Sequence, residues 1–267
     1  MLSGFEDISF FTILLIVVAG FAAGWIDAVV GGGGLIQLPV MLMIPGITPI
    51  QALETNKMGS IFGTATSSVT YYRRVKPDLK TALPMAVVAL AGSFAGALLA
   101  ANLPQSVFKP IIVAALIAVA IFTAVKPNIG ELTALRHRGH RHYVLACLIG
   151  AVIGFYDGVI GPGTGSFLII ALVTEMGYAF LEASAKAKIV NLATNPGALL
   201  FFLPHGSLLW GVGLVLGGSN MAGGYLGARM AVAKGSKFIR IVFLAVVAVL
   251  IVKLGWDVLQ ENLLHAS

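Results

Sequence analysis

"VVGGGGLIQLP", residues 29–39, sets four consecutive glycines inside an apolar stretch. Glycine in a helix interior costs about 0.8–1 kcal/mol relative to alanine. In a bilayer the objection is stronger, because open backbone there has no water to bond. The stretch is therefore either a packing surface or a deliberate break in a membrane helix, and the rest of the chain decides which.

The composition fixes the solvent. The 267 residues are 58% hydrophobic and 10% charged, with a mean hydropathy of +0.96. Soluble domains carry roughly 25% charged residues. Apolar runs at Phe10–Val30, Ala82–Ala101, Pro110–Val125, Tyr143–Ile160, Leu208–Ala231 and Phe238–Leu254 approach the roughly 20 residues that cross about 30 Å of hydrocarbon. The chain reads as an all-α integral membrane protein. Its formal charge of +6 is carried largely by short loops, where orientation bias explains it, and no nucleic-acid module is present. Cys147 stands alone and excludes an intramolecular disulfide. The leader "MLSGFEDIS" carries Glu6 and Asp7 and no basic residue, the wrong charge for a signal peptide.

The chain is written twice. "GFAAGWIDAVVGGGG" (Gly20–Gly34) returns as "GAVIGFYDGVIGPGTG" (Gly150–Gly165). At an offset of 130, Gly20, Gly24 and Asp27 match Gly150, Gly154 and Asp157. One residue enters near Thr164, and the offset becomes 131, pairing Gly34 with Gly165, Lys57 with Lys188, Gly92 with Gly223 and Gly96 with Gly227. One membrane domain, 1–267, is thus expected to hold repeats at about 8–127 and 141–258, joined by a polar cytoplasmic linker at 127–141. Basic loops fall at alternate positions in the copies. Arg73–Lys80 and Lys234–Arg240 are basic, whereas the counterpart of the first, Pro204–Gly211, has no Lys or Arg. Alternation of this kind predicts an inverted-topology repeat with both termini outside. Each half reads as five apolar segments: 10–30, 35–45, 48–72, 82–102 and 110–126, then 142–160, 165–176, 179–203, 208–232 and 238–257. The second segment of each half is too short to span, which gives eight to ten helices with Gly-broken or re-entrant elements.

"GGGG" and "GPGTG" then read as helix interruptions. Pro162 breaks helices, and irregular backbone at membrane depth is tolerated where protein buries it or it lines a cavity. The short helix after each break starts with free amides and the positive end of its dipole, a setting for anions. Candidate substrate contacts are Gly32, Gly33, Gly34, Gln37, Gly163, Thr164 and Gly165 at the breaks, with Asn56, Lys57, Lys188, Asn191 and Asn195 on the following segments. A buried lysine costs about 2.5–3.5 kcal/mol or more, and two at matched positions imply a need. Asp27 and Asp157 are candidates for proton or charge coupling; pairing with the lysines or capping free amides is the simpler role. Glu54 and Glu182, three and four residues before Lys57 and Lys186, are further candidates for internal pairing. Gly92/Gly96 and Gly223/Gly227 read as helix-packing pairs, and Arg229 as a snorkelling end residue. His137, His140 and His142 sit among linker arginines and are expected in solvent, so no metal site is assigned. Ser166 and His205 are not equivalent in the repeat and suggest no hydrolase.

The run "GWIDAVVGGGGLIQLPVML…GITPIQALETNK" followed by "GFYDGVIGPGTGSFLIIALV…AKAKIVNLATN" resembles the TauE/SafE sulfite exporter family, also called the 4-toluene sulfonate uptake permease family, over nearly the whole chain. The resemblance implies a plasma (inner) membrane transporter of about seven to nine spans, carrying sulfite, sulfoacetate, sulfolactate or a related organosulfonate. The expectation is a secondary transporter of a small sulfur-containing anion, most simply an exporter, working by alternating access without a cofactor. It is not an enzyme on this reading, and no nucleotide-binding loop follows the glycines. Its partners are the anion and the lipid bilayer, and homo-oligomerisation stays open. The rivals are a channel or transporter for a cation or neutral solute that uses Asp27 and Asp157, and a membrane-embedded enzyme or assembly factor.

Overall fold

The computed structural model describes residues 9–104, 132–205 and 208–265. Among these residues the chain is helical throughout, with no strand. The elements are α1 (Phe10–Val30), α2 (Gly34–Leu42), α3 (Pro49–Val75), α4 (Leu79–Ala101), α5 (His140–Val159), α6 (Thr164–Thr174), α7 (Phe180–Phe202) and α8 (Trp210–His265). The expected segment 110–126 lies outside the described residues. Among the described residues three helices, α1, α4 and α5, are long and apolar enough to cross a membrane by length and composition.

Local chemistry explains most boundaries. Ser9 caps α1 by accepting from the Thr12 amide. Thr48 and Gln51 form a reciprocal capping box at the start of α3, with Pro49 in its first turn, where a missing amide costs nothing. Asp78 caps α4 through the Lys80 amide. At Gly31, α1 stops in the left-handed region, with φ of 79°, a conformation open to glycine at no steric cost.

One boundary differs from the expectation. The sequence predicts a loop at the basic stretch Lys234–Arg240, yet α8 runs on through it and is broken only at Gly235, with φ 72° and ψ −168°. That backbone is essentially confined to glycine, so a single residue turns the helix where a loop was expected.

The halves interlock. α1 packs along the first part of α8, and α5 packs along α4. Both contacts are made backbone to backbone. A Cβ at Gly24 would lie 2.2 Å from the Asn220 carbonyl oxygen, and one at the matching Gly154 would lie 2.4 Å from that of Ala89. Gly223 and Gly227 face the carbonyls of Phe21 and Trp25, and Gly92 and Gly96 those of Ala151 and Phe155. Every contact in one set has its partner in the other under the sequence offset. In lipid there is no apolar solvent penalty to drive helices together, so such close approach supplies the packing. Large apolar side chains point outward, among them Phe10, Phe11 and Val18 of α1, Val87 of α4 and Val152 of α5. An outer apolar surface of this kind matches lipid rather than water.

Candidate functional site

The two helix breaks touch. The Ser166 amide donates to the Gly31 carbonyl at 3.1 Å, and the Ser166 hydroxyl donates to that of Val30 at 2.8 Å. A Cβ on Gly31 would lie 2.2 Å from the Gly165 carbonyl carbon, and one on Gly34 would lie 3.1 Å from Pro162. The glycines therefore serve packing and interruption together: they let one broken helix lie directly on the other. Ser166 is a structural clamp here.

Around this junction the charges are crossed between halves. Lys57 of α3 pairs with Asp157 of α5 at 2.5 Å and donates to the Asp157 backbone carbonyl at 2.6 Å. Lys188 of α7 pairs with Asp27 of α1 at 2.8 Å. These are the same contact under the repeat offset, with the partners exchanged. Both lysines are fully buried, and of the two carboxylates Asp27 is the more open, at 15% against 5% side-chain exposure. A buried charge is tolerable only when paired and hydrogen-bonded, and each lysine meets that condition through the other half.

The inserted residue makes the pairs unequal. The Thr164 hydroxyl lies 2.7 Å from Asp157 Oδ1 and 2.6 Å from the Gly161 carbonyl, and its one proton can go to either. The first half has no residue in this place.

A cavity of about 30 Å³ sits between the breaks. Asp27 and Asp157 line it, together with Gly34, Asn56, Lys57, Gly163, Thr164, Gly165, Asn191 and Asn195. Asn56 and Asn191 are buried, and each has a side-chain oxygen without a hydrogen-bond partner. An Asn amide can offer either its oxygen or its NH2 group to a ligand. The cavity also meets the first turns of both short helices, at Gly34 and at Thr164–Gly165.

Other candidates stand back from it. Gly33 is packed against Asp27 and the Ala23 carbonyl, and Gly32 against Leu35. Lys188 is sealed behind Asp27. Gln37 accepts from Ser60 at 3.1 Å, leaving its own amide nitrogen unpartnered. Ser60 and Thr64 line the cavity and were absent from the sequence candidates. The signal was present: Asn56, Ser60 and Thr64 recur every four residues, one face of a helix.

One further expectation changes. His142 is buried rather than solvated, its Nε2 lying 2.9 Å from the Tyr178 hydroxyl and 3.1 Å from Thr81 Oγ1. It falls in the first turn of α5, which packs on α4. Lys186 donates to the Asp78 carbonyl at 3.2 Å and lies over the Tyr178 ring, outside the cavity.

Comparison with known proteins places the chain in a family. The profile of the family described as Sulfite exporter TauE/SafE matches residues 16–254. The chain is 42% identical over 252 residues to "Probable membrane transporter protein ORF9" of Sinorhizobium sp, covering 94% of this chain and 95% of that protein. It is 35% identical to "Probable membrane transporter protein YfcA" of Escherichia coli K12, covering 91% and 89%. It is 33% identical to a "Probable membrane transporter protein" of Haemophilus influenzae, covering 88% and 91%. No solved structure gives a significant match. With most of the chain and both broken helices inside the matched region, the chain belongs to the TauE/SafE sulfite exporter family of membrane transporters.

Proposed function

We propose that the protein is a secondary transporter of a small sulfur-containing anion, sulfite or an organosulfonate, and that it works by alternating access in the plasma membrane. One observation carries the reading: two interrupted helices meet at a buried polar cavity flanked by crossed Lys–Asp pairs. The family's name supplies the sulfur chemistry, and the residues supply the fit to an anion.

The site is balanced as it stands, two ammonium groups against two carboxylates. An entering anion binds well only if it takes over an ammonium from its aspartate. Lys57 lines the cavity and is the direct candidate. Lys188 becomes available when Asp27, the more open carboxylate, is protonated or swings away. Loss of that one negative charge on proton uptake would couple anion binding to a proton. The cavity of about 30 Å³ has room for about one water and is too small for an organosulfonate, so binding requires the breaks to separate.

The paired contacts of the two halves support an inverted-topology duplication, with repeats at about 8–127 and 141–258, and the basic loops support both termini lying outside. In such folds alternating access follows from rocking one half against the other. A membrane potential negative inside favours anion expulsion by about 2.3 kcal/mol per charge per 100 mV, which favours export.

The test is flux into liposomes carrying the purified chain, over sulfite, sulfoacetate, taurine, sulfate and thiosulfate. Saturable flux of a sulfur oxyanion, abolished by Lys57→Met, is expected. Flux of a cation or neutral solute that survives Lys57→Met and fails in Asp27→Asn would replace this reading with the cation or neutral-solute transporter. Absence of flux for every solute would point to an enzyme or assembly factor.

A further inference from the structure

A second polar site lies away from the junction. Between the end of α3 and the middle of the first part of α8 is a cleft of about 510 Å³, lined by Arg73, Arg74, Arg229, Tyr225, Thr66 and Thr70, with Val69 on one wall. The three arginines are exposed, and none has a carboxylate partner among the described residues. Arg229 is already held: its Nη1 donates to the Tyr225 hydroxyl at 3.1 Å, and its guanidinium lies over the same ring. Arg73 and Arg74 occupy the last turn of α3, where the helix dipole favours cations.

The counterpart of this place in the other half is closed. Under the offset of 131, Thr70, Tyr225, Arg229 and Arg73 correspond to Phe201, Phe94, Leu98 and Pro204. Phe94 and Phe201 fill the position edge to face, with centroids 5.9 Å apart. The same helix pair therefore carries aromatic packing in one copy and, in the other, three guanidinium groups around open volume with no carboxylate partner among the described residues. Fold symmetry does not require the arginines, and no ion pair among the described residues accounts for them.

The surroundings choose the ligand. Val69 and Tyr72 on α3 and Leu226 on α8 are 48%, 49% and 45% exposed, so exposed apolar side chains on both helices flank the cleft. Its basic end lies beside the basic stretches Arg73–Lys80, at the end of α3, and Lys234–Arg240, inside α8. Guanidinium groups recognise phosphate through planar forked donors, and basic pockets between membrane helices suit anionic headgroups. We propose that this cleft binds the phosphate headgroup of an anionic phospholipid, with its chains lying along Val69 and Leu226.

Native mass spectrometry of the detergent-purified full chain tests this, with phosphatidylglycerol and phosphatidylcholine of identical chains as probes. Phosphatidylglycerol should bind about tenfold more tightly than phosphatidylcholine. Arg229→Gln should weaken it about fivefold. Thr70→Phe, which copies Phe201 and fills the cleft without removing charge, should weaken it comparably. The charge-matched control Arg138→Gln, in the exposed linker, should leave it unchanged. Equal affinity for the two lipids, or full binding by a folded Thr70→Phe variant, would overturn the proposal. Displacement of the lipid by millimolar inorganic phosphate would show a free-anion site instead and overturn the lipid assignment.

Discussion

At the scale of residues, the crossed ion pairs separate folding from transport. Lys57→Met leaves Asp157 buried without its cation, and breaking a buried pair by removing one partner costs about 3–5 kcal/mol. The double variant Lys57→Met/Asp157→Asn removes both charges and should regain most of that loss. Thermal unfolding in detergent checks this: the single variant melts well below the parent and the double variant close to it, while both are inactive in liposome flux. Asp78 offers a pH test outside the spanning segments. Partial burial pushes its carboxyl up, but the Thr81 hydroxyl, the Lys80 amide and nearby Lys186 outweigh this and hold it below its ordinary value. A depressed folded value gives stability above about pH 4, the unfolded range, that is lost as pH falls through the folded value. Asp78→Asn should therefore lower the melting temperature at pH 7, and the difference from the parent should close at the acid end of a melting series.

At the scale of elements, the two kinds of left-handed glycine make different predictions. A Cβ at Gly235 meets nothing within 4 Å, so Gly235→Ala pays only for its backbone, about 1–3 kcal/mol. It should lower the melting temperature or straighten the kink, which spin labels on either side would report as a longer separation. Gly31→Ala adds to the same backbone cost a clash with the Gly165 backbone, so it should destabilise more and stop transport. Much of this level was legible in the sequence. α1 matches its apolar run, and α2 and α6 were visible as runs too short to span, because breaks are written in Gly and Pro. α3 was placed despite Glu54, Asn56 and Lys57, because the repeat carried it. The crossing of the charge pairs was not legible: helical spacing offers Glu54 to Lys57, while the actual partner is set by how distant helices lie. The burial of His142 was hidden for the same reason. Its neighbours in sequence are arginines, and its neighbours in space are Thr81 and Tyr178.

At the scale of the whole molecule, α1 rests on α8 and α5 on α4, so neither half has a surface of its own to close. Cutting the chain within the linker at 127–141 and producing both pieces together should yield a complex that co-purifies through a tag on one piece. Either piece produced alone should be degraded or aggregate. Recovery of a monodisperse single half would contradict the interlocked arrangement. On the proposed rocking of one half against the other, a disulfide joining α1 to α8 should leave the fold intact while slowing flux.

The crossing bears on biosynthesis as well. Lys57 finds Asp157 only 100 residues later in the chain, and Asp27 waits 161 residues for Lys188. At about 5–20 residues per second, each early charge emerges from the ribosome many seconds before its mate exists. The nascent first half must therefore be sheltered by the insertion machinery, or held near the aqueous interface, until the second arrives. Final seating of α3 must then wait until α5 has been made and brings Asp157 to Lys57.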